Sequence, residues 1–210
     1  MKYPYYLPPL GYSYDAMEPY IDRLTMELHH DRHLRTYVDK LNATLKDYPQ
    51  YHGWSLEELI RGCYRLPLSI RQAVWDNGGG LYNHTFFFGS LSNTGQGIAG
   101  GKLYDAIVEQ FGSVDSLMDK LSKAALGVFG SGYAYLVRDN GLGILKIITL
   151  ANQDTPIVYN VTPLVCIDVW EHAYYLKHYN DRAGYIGDWK HIINWSSAEY
   201  AYGARSGCGV

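Results

Sequence analysis

The chain has 210 residues, of which 47% are apolar and 19% are charged, enough to bury one large core or two smaller ones. Its net charge of -3 and its scattered lysines and arginines exclude a basic surface of the kind that binds nucleic acid. No apolar run approaches the roughly 18 residues of a membrane span, and the N-terminus lacks the apolar segment of a signal peptide, so we expect no membrane partner and a cytoplasmic protein, unless a leader has been removed.

The first half of the chain has the patterns of helices. Between about residues 19 and 47, six apolar residues recur at three- and four-residue steps, which predicts one long amphipathic helix. They are Ile21, Leu24, Leu28, Val38, Leu41 and Leu45. Ser55 followed by Glu58 fits a capping box before a second helix. A further helical stretch, residues 69–91, contains three consecutive glycines, so we expect a helical hairpin.

The second half of the chain mixes helices and strands. Residues 92–102 are rich in Gly, Ser and Asn and are predicted to be a linker, followed by two helical patterns. Two β-rich runs then surround Asp139-Asn140-Gly141, which is a strong hairpin signal. PLVCIDVW predicts a third strand, and EHAYYLKHY begins a closing helix.

The cysteines and tyrosines indicate the kind of interior. Cys63, Cys166 and Cys208 are odd in number and form no C-x-x-C pair, which disfavours a disulfide framework and a thiolate zinc site. We expect free thiols, with Cys166 buried in the third strand. The 21 tyrosines provide apolar bulk together with hydroxyl groups suited to buried polar networks.

Histidines and one aspartate are the candidate ligands. His29, His33 and Tyr37 follow each other at four-residue steps, so on a helix they form one row of side chains. Such a row is more often a set of hydrogen-bonded polar side chains than a set of metal ligands. His84 lies among aromatic residues and has an equally ordinary interpretation as a core histidine bonded to a carbonyl.

Asp168 and His172 follow the predicted buried strand, where a buried charge needs a hydrogen-bonding partner or a metal ion. A buried aspartate can also simply hold a histidine tautomer. Together with His29 and His84, the two residues make a set of three imidazoles and one carboxylate that suits manganese or iron. The lack of thiolates disfavours structural zinc and iron–sulfur clusters.

Five stretches, taken in order, resemble the iron/manganese superoxide dismutase family: MELHHDRHLRTYV, GGGLYNHTFFF, FGSGYAYLV, LANQDTP and DVWEHAYYLKHYNDR. The resemblance implies an α+β fold, with an N-terminal helical hairpin domain at residues 1–95. A C-terminal α/β domain with a three-stranded antiparallel sheet would follow at residues 96–210. It implies an enzyme that converts superoxide to dioxygen and hydrogen peroxide.

The resemblance also implies one manganese ion, or iron, per subunit, clamped between the two domains. The implied ligands are His29, His84, Asp168 and His172.

Around the metal, the resemblance implies that Gln153 donates a hydrogen bond to the solvent ligand, that Tyr37 continues this network and that His33 stands at the entrance. Arg182 matches the arginine near the mouth of the channel. Without the resemblance, ordinary interpretations are favoured: a loop amide, a buried phenol, a surface imidazole and an exposed guanidinium.

The resemblance further implies a homodimer or homotetramer in which each site is completed by a second chain. Glu171 would accept a hydrogen bond from the ligand histidine of the partner chain. Tyr175 would reach the histidine at the entrance to the partner's metal site. The alternative is an ion pair of Glu171 with an Arg or Lys of its own chain.

The identity of the metal depends on fewer positions. Gln153 opposite the small residue Gly80 is the arrangement of manganese-type members, whereas iron-type members tend to place the glutamine at the other position. Phe88 and Tyr133 replace two tryptophans that are common around the metal. The sequence therefore favours manganese, with activity on either metal.

Two other classes of function compete with this interpretation. Glu27 and His30 form an E-x-x-H motif as in di-iron carboxylate bundles, but those folds need two such motifs and only one occurs here. A non-catalytic dimeric scaffold or metal-storage protein on the same fold is the remaining alternative.

Overall fold

The computed structural model describes residues 1–204. Its first long helical stretch consists of α1 (Arg23–Leu28), a π-helical segment (His29–Leu34) and α2 (Arg35–Leu45). The stretch begins four residues later than predicted, because the Asp22 side chain accepts from the Thr25 N–H and caps α1.

The π-helical segment also changes which residues face the core. Val38, Leu41 and Leu45 are buried as predicted, but Leu24 is 54% exposed and Leu28 is 37% exposed. The α-helical spacing read along the sequence does not continue through a segment with i→i+5 hydrogen bonds, so the apolar stripe of α2 does not extend into α1.

Two further helices complete the first half. The predicted capping box is confirmed at α3 (Leu56–Arg61), where Ser55 and Glu58 bond each other's backbone N–H groups. The predicted long helix is confirmed as α4 (Leu68–Gly89), and α4 packs against α2 to form the helical hairpin. No helix or strand is found at residues 92–101, where a linker was predicted.

The second half contains the sheet. After α5 (Lys102–Phe111) and α6 (Val114–Leu126) come β1 (Gly132–Asp139), β2 (Leu145–Ala151) and β3 (Val161–Asp168). They form one antiparallel sheet with strand order β2-β1-β3, which confirms the predicted three-stranded sheet. Helix α6 packs against β1 and β2.

The turn between β1 and β2 is longer than the Asn-Gly dipeptide alone suggests. The Asp139 carboxylate accepts from the N–H groups of Gly141 and Leu142, and Gly143 adopts a φ of 71°. The hairpin is therefore confirmed, but the residue of its turn that adopts a positive φ is Gly143.

The closing helix is not continuous. The chain forms α7 (Tyr175–His178), α8 (Arg182–Trp189) and α9 (Trp195–Gly203). The break after α7 lies at Tyr179, whose φ of 51° is incompatible with a right-handed helix.

The core is continuous from the hairpin helices to the sheet. Cys63 and Cys166 are buried free thiols, as predicted, and Cys208 lies outside the described residues. None of the helices within residues 1–204 has the length and apolar character of a membrane span.

Candidate metal centre

Four side chains from both halves of the chain converge at one buried point. His29 begins the π-helical segment, His84 lies in α4, Asp168 ends β3, and His172 lies in the turn that follows. One potential ligand atom of each lies within 4.8 Å of those of the others. Among residues 1–204 this is the one group of three or more such side chains that could hold a metal ion.

The distances within the cluster are those of atoms that face each other. Asp168 Oδ2 lies 3.3 Å from His29 Nε2, 3.6 Å from His172 Nε2 and 3.9 Å from His84 Nε2. His29 Nε2 and His172 Nε2 are 3.2 Å apart. Three imidazole nitrogens and one carboxylate oxygen therefore point at a common centre.

The donor set fits a metal ion, because two of its four inward atoms are buried without a hydrogen-bond partner among the described residues. His84 Nδ1 donates to the Gly80 carbonyl at 2.8 Å, which leaves the Nε2 lone pair free. Asp168 Oδ1 accepts from the Trp170 N–H at 2.8 Å. His84 Nε2 and Asp168 Oδ2 are buried, and neither has a hydrogen-bond partner among the described residues. Each such orphaned atom costs about 1–3 kcal/mol, which a bound cation would offset.

The protonation states also suit a metal ion. Burial, with the nearby His172 adding to it, lowers the pKa of His29 to about 4, and burial lowers the pKa of His84 well below its usual value. Burial alone would raise the pKa of Asp168, but its contacts with His172 and His29 outweigh this and lower it. Neutral imidazoles and an ionised carboxylate are the forms that ligate metals, and this N/O set suits manganese or iron.

A buried amide lies beside the cluster. Gln153 is 4% exposed, and its Nε2 donates to the Tyr37 hydroxyl at 3.0 Å. Its Oε1 accepts from the Tyr133 hydroxyl at 3.0 Å and from Asn83 Nδ2 at 3.2 Å. Burial, with the Asp168 charge adding to it, raises the pKa of Tyr37 to about 12, so this phenol stays protonated at neutral pH.

Two glycines of α4 allow this approach. A Cβ at Gly80 would lie 2.5 Å from the ring of Tyr37, and a Cβ at Gly79 would lie 2.1 Å from the Gln153 carbonyl oxygen. The glycines inside α4 therefore let a ring and a backbone segment touch the helix, at a cost in helix propensity.

Tyr133 and Phe88 form part of the wall. The Tyr133 hydroxyl lies 3.4 Å from His84 Nδ1, and this side chain is fully buried. The Phe88 ring packs edge-on against His29 with centroids 5.0 Å apart, while its carbonyl accepts from the Tyr12 hydroxyl.

The other predicted residues lie farther out. The exposed His33 stacks on His172 with ring centroids 4.2 Å apart. Glu171 is exposed and Tyr175 is 48% exposed. The Arg182 guanidinium donates hydrogen bonds to the carbonyls of Val128 and Gly130 and to the Tyr174 hydroxyl. Arg182 therefore holds the loop before β1 in place.

Three residues beside the site were not predicted from the sequence: Asn83, Tyr135 and Gly79. A usable signal existed for two of them. An asparagine next to His84 in an apolar helix needs buried partners, and a glycine inside a helix indicates a close approach. Tyr135 carried no signal of its own.

The E-x-x-H motif does not contribute a second metal site. His30 Nδ1 lies 2.7 Å from Asp31 Oδ1, and its Nε2 lies 2.7 Å from the Pro8 carbonyl, so both ring nitrogens are occupied. Glu27 is absent from the group of candidate ligands found among the described residues. The di-iron interpretation is therefore wrong.

Comparison with known proteins gives matches over nearly the whole chain. Residues 4–92 match the family model of the alpha-hairpin domain of iron/manganese superoxide dismutases, and residues 99–201 match that of their C-terminal domain.

Individual relatives agree with the family models. The chain is 49% identical to the "Superoxide dismutase [Mn]" of Thermus thermophilus, over 95% of this chain and 97% of that protein. It is 48% identical to that of Thermus aquaticus, over 96% and 98%, and 45% identical to "Superoxide dismutase [Mn] 2" of Bacillus cereus, over 93% of each. The chain therefore belongs to the iron/manganese superoxide dismutase family, whose members catalyse the dismutation of superoxide.

Proposed function

We propose that this protein is a superoxide dismutase with one manganese ion, or iron, per subunit. The assigned ligands are His29, His84, Asp168 and His172. The observation that carries the proposal is the convergence of three imidazoles and one carboxylate, in which His84 Nε2 and Asp168 Oδ2 are buried without a hydrogen-bond partner among the described residues. When bound, the metal supplies one-electron oxidation of one superoxide and one-electron reduction of the next.

The charge of the site favours a small anion. Asp168 is the single anionic group among the four, so a bound di- or trivalent cation leaves a local positive charge. This local field attracts superoxide despite the net charge of -3 on the whole chain.

Gln153 and Tyr37 are assigned to hydrogen bonding and proton supply. Gln153 Nε2 has two N–H groups, of which one donates to the Tyr37 hydroxyl. We assign the second to solvent or substrate in the site. Because the Tyr37 oxygen already accepts from Gln153, its own proton is free to point at an entering anion. His33, exposed and stacked on His172, is assigned to the entrance, and Arg182 to the mouth of the channel through the loop it holds.

Manganese is the proposed metal. The Gln153 backbone approaches α4 at Gly79, while Gly80 faces the ring of Tyr37. The pairing of Gln153 with Gly80 rests on the family resemblance, and the relatives named above carry manganese in their names. Phe88 and Tyr133 alter the wall of the site, and we retain iron as a second functional metal.

We further propose that the protein acts as a homodimer or homotetramer. Helix α1 packs against α7 and against the turn that holds Glu171, and exposed apolar side chains lie on both of these helices. They are Leu24, Leu28, Tyr175 and Leu176. Among residues 1–204, Glu171 forms no ion pair with an Arg or Lys, and we assign it to the partner's ligand histidine. Tyr175 is assigned to the partner's entrance histidine. Domains at residues 1–95 and 96–210 and a cytoplasmic location stay predictions.

Metal analysis combined with a superoxide-decay assay on one preparation tests the function. We expect close to one metal ion per chain and activity in proportion to the content of manganese and iron together. Stoichiometric metal without dismutation would instead indicate a metal-storage protein or a scaffold. The exposed His191, replaced by Ala, provides a control that should leave metal content and activity unchanged.

A further inference from the structure

A chain of buried hydrogen bonds extends from Gln153 away from the cluster of metal ligands. The Tyr135 hydroxyl donates to Asn83 Oδ1 at 2.9 Å. Asn83 Nδ2 donates in turn to Gln153 Oε1 at 3.2 Å and to the Asp154 carbonyl at 3.1 Å. Tyr135 and Asn83 are fully buried, so water does not compete for these groups.

These bonds determine which way the Asn83 amide points. A rotated amide would place its oxygen against Gln153 Oε1 and the Asp154 carbonyl, which are both acceptors. In the orientation found, both N–H groups of Nδ2 have acceptors, and Oδ1 needs a donor. The Tyr135 hydroxyl is that donor, and it is the one given by the described residues.

The orientation of Asn83 then limits that of Gln153. Gln153 Oε1 takes one hydrogen bond from Asn83 and one from Tyr133, which together use both of its acceptor positions. Its Nε2 is left to face Tyr37. A buried Asn83 without its donor at Oδ1 would favour other amide orientations and weaken its bond to Gln153.

We propose that Tyr135 is a positioning residue. Its hydroxyl, acting through Asn83, holds the Gln153 amide with its N–H groups toward Tyr37 and the cluster of metal ligands. This inference deepens the proposed function and rests on it, since it assigns a catalytic consequence to a residue that does not contact the cluster.

The ring and the hydroxyl of Tyr135 can be tested apart. The ring packs against Tyr133 and Phe86, with centroids 6.1 Å and 5.9 Å away, and Tyr135→Phe keeps these contacts. Tyr5 supplies the matched control. It is 2% exposed, and its buried hydroxyl has no hydrogen-bond partner among the described residues, so Tyr5→Phe removes a comparable group outside the network.

The measurements are metal content, kcat and KM for superoxide, and the midpoint potential of the bound manganese. We expect Tyr135→Phe to keep its metal, to lose roughly threefold to tenfold in kcat and to shift the potential, because one hydrogen bond is worth about 1 kcal/mol and tenfold corresponds to about 1.4 kcal/mol. Tyr5→Phe should match the parent protein in all three. A Tyr135→Phe variant indistinguishable from Tyr5→Phe would overturn the proposal.

A double-mutant cycle tests whether Tyr135 acts through Gln153. In a Gln153→Leu protein there is no amide to orient, so adding Tyr135→Phe should change kcat and potential no further. An equal loss in that background would mean that Tyr135 acts on its own, and would overturn the proposal. If the parent protein failed to dismutate superoxide, the proposed function would fail, and the midpoint potentials would still decide the role of Tyr135.

Discussion

The substitution Gly79→Ala tests whether the contact between α4 and the loop carrying Gln153 is needed for activity. The added Cβ would lie 2.1 Å from the Gln153 carbonyl oxygen and 3.2 Å from its carbon, whereas ordinary contacts begin at 3.4 Å. Both sides of the contact are backbone, so no side-chain rotation relieves it. We expect helix and loop to separate by about an ångström, as overpacked sites do.

The magnitude follows from two opposing effects. Alanine in a helix interior gains about 1 kcal/mol over glycine, while overpacking costs about 1–3 kcal/mol. At Gly187 in α8, a Cβ meets nothing within 4 Å, so Gly187→Ala should show the gain alone. The two variants should therefore differ by about 1–3 kcal/mol in free energy of unfolding. A shift of Gln153 by about 1 Å should reduce turnover by up to about 100-fold.

Denaturant unfolding, metal content and superoxide decay, measured side by side on the two variants, decide the matter. Gly187→Ala should be stabilised and fully active, and Gly79→Ala should be less stable and nearly inactive while retaining metal. Equal stabilisation and full activity in both variants would refute the reasoning, because it would mean that the close contact is not a constraint.

Three further substitutions have defined outcomes. His84→Ala should lose most bound metal and abolish dismutation while the chain stays soluble; stoichiometric metal with full activity would show that the site is assigned wrongly. Gln153→Leu removes the amide with little change in bulk, so metal should stay while turnover slows and the midpoint potential shifts, and unchanged values in a metal-replete sample would remove Gln153 from the mechanism. Glu171→Ala should dissociate into monomers at concentrations where the parent is dimeric, with a loss of about 1–3 kcal/mol for each of the two symmetric contacts. Sedimentation across a concentration series checks this, and an equally tight, equally active variant would place Glu171 elsewhere.

Local patterns were sufficient for most of the fold. The capping residues Ser55 and Glu58 and the helical patterns of α4 to α6 depend on neighbours in sequence, so the corresponding helices were predicted correctly. The π-helical segment at His29–Leu34 was not, because an i→i+5 turn leaves no mark in apolar spacing. The break at Tyr179 was missed for a similar reason, since a tyrosine with positive φ has no propensity signal.

Some residues of the candidate site could likewise be predicted from the sequence, and others could not. Residue type made His29, His84 and His172 candidates among eight histidines, along with Asp168, and the family resemblance implied them as ligands and supplied the assigned role of Gln153. The link from Tyr135 to Asn83 joins residues 52 positions apart, and it exists only because β1 packs near α4. Such a contact depends on the register of the sheet, which spacing along the chain does not give.

The four metal ligands come from both halves of the chain, and this division has a consequence for biosynthesis. His29 and His172 are separated by 143 residues, so at about 5–20 residues per second the first is synthesised roughly 7–29 seconds before the last. A nascent chain that has folded only its helical hairpin offers two imidazoles and no carboxylate of the cluster. The complete set of four ligands therefore exists only after β3 has joined the sheet, so the folded chain, and not the separate hairpin, offers the carboxylate to a metal ion.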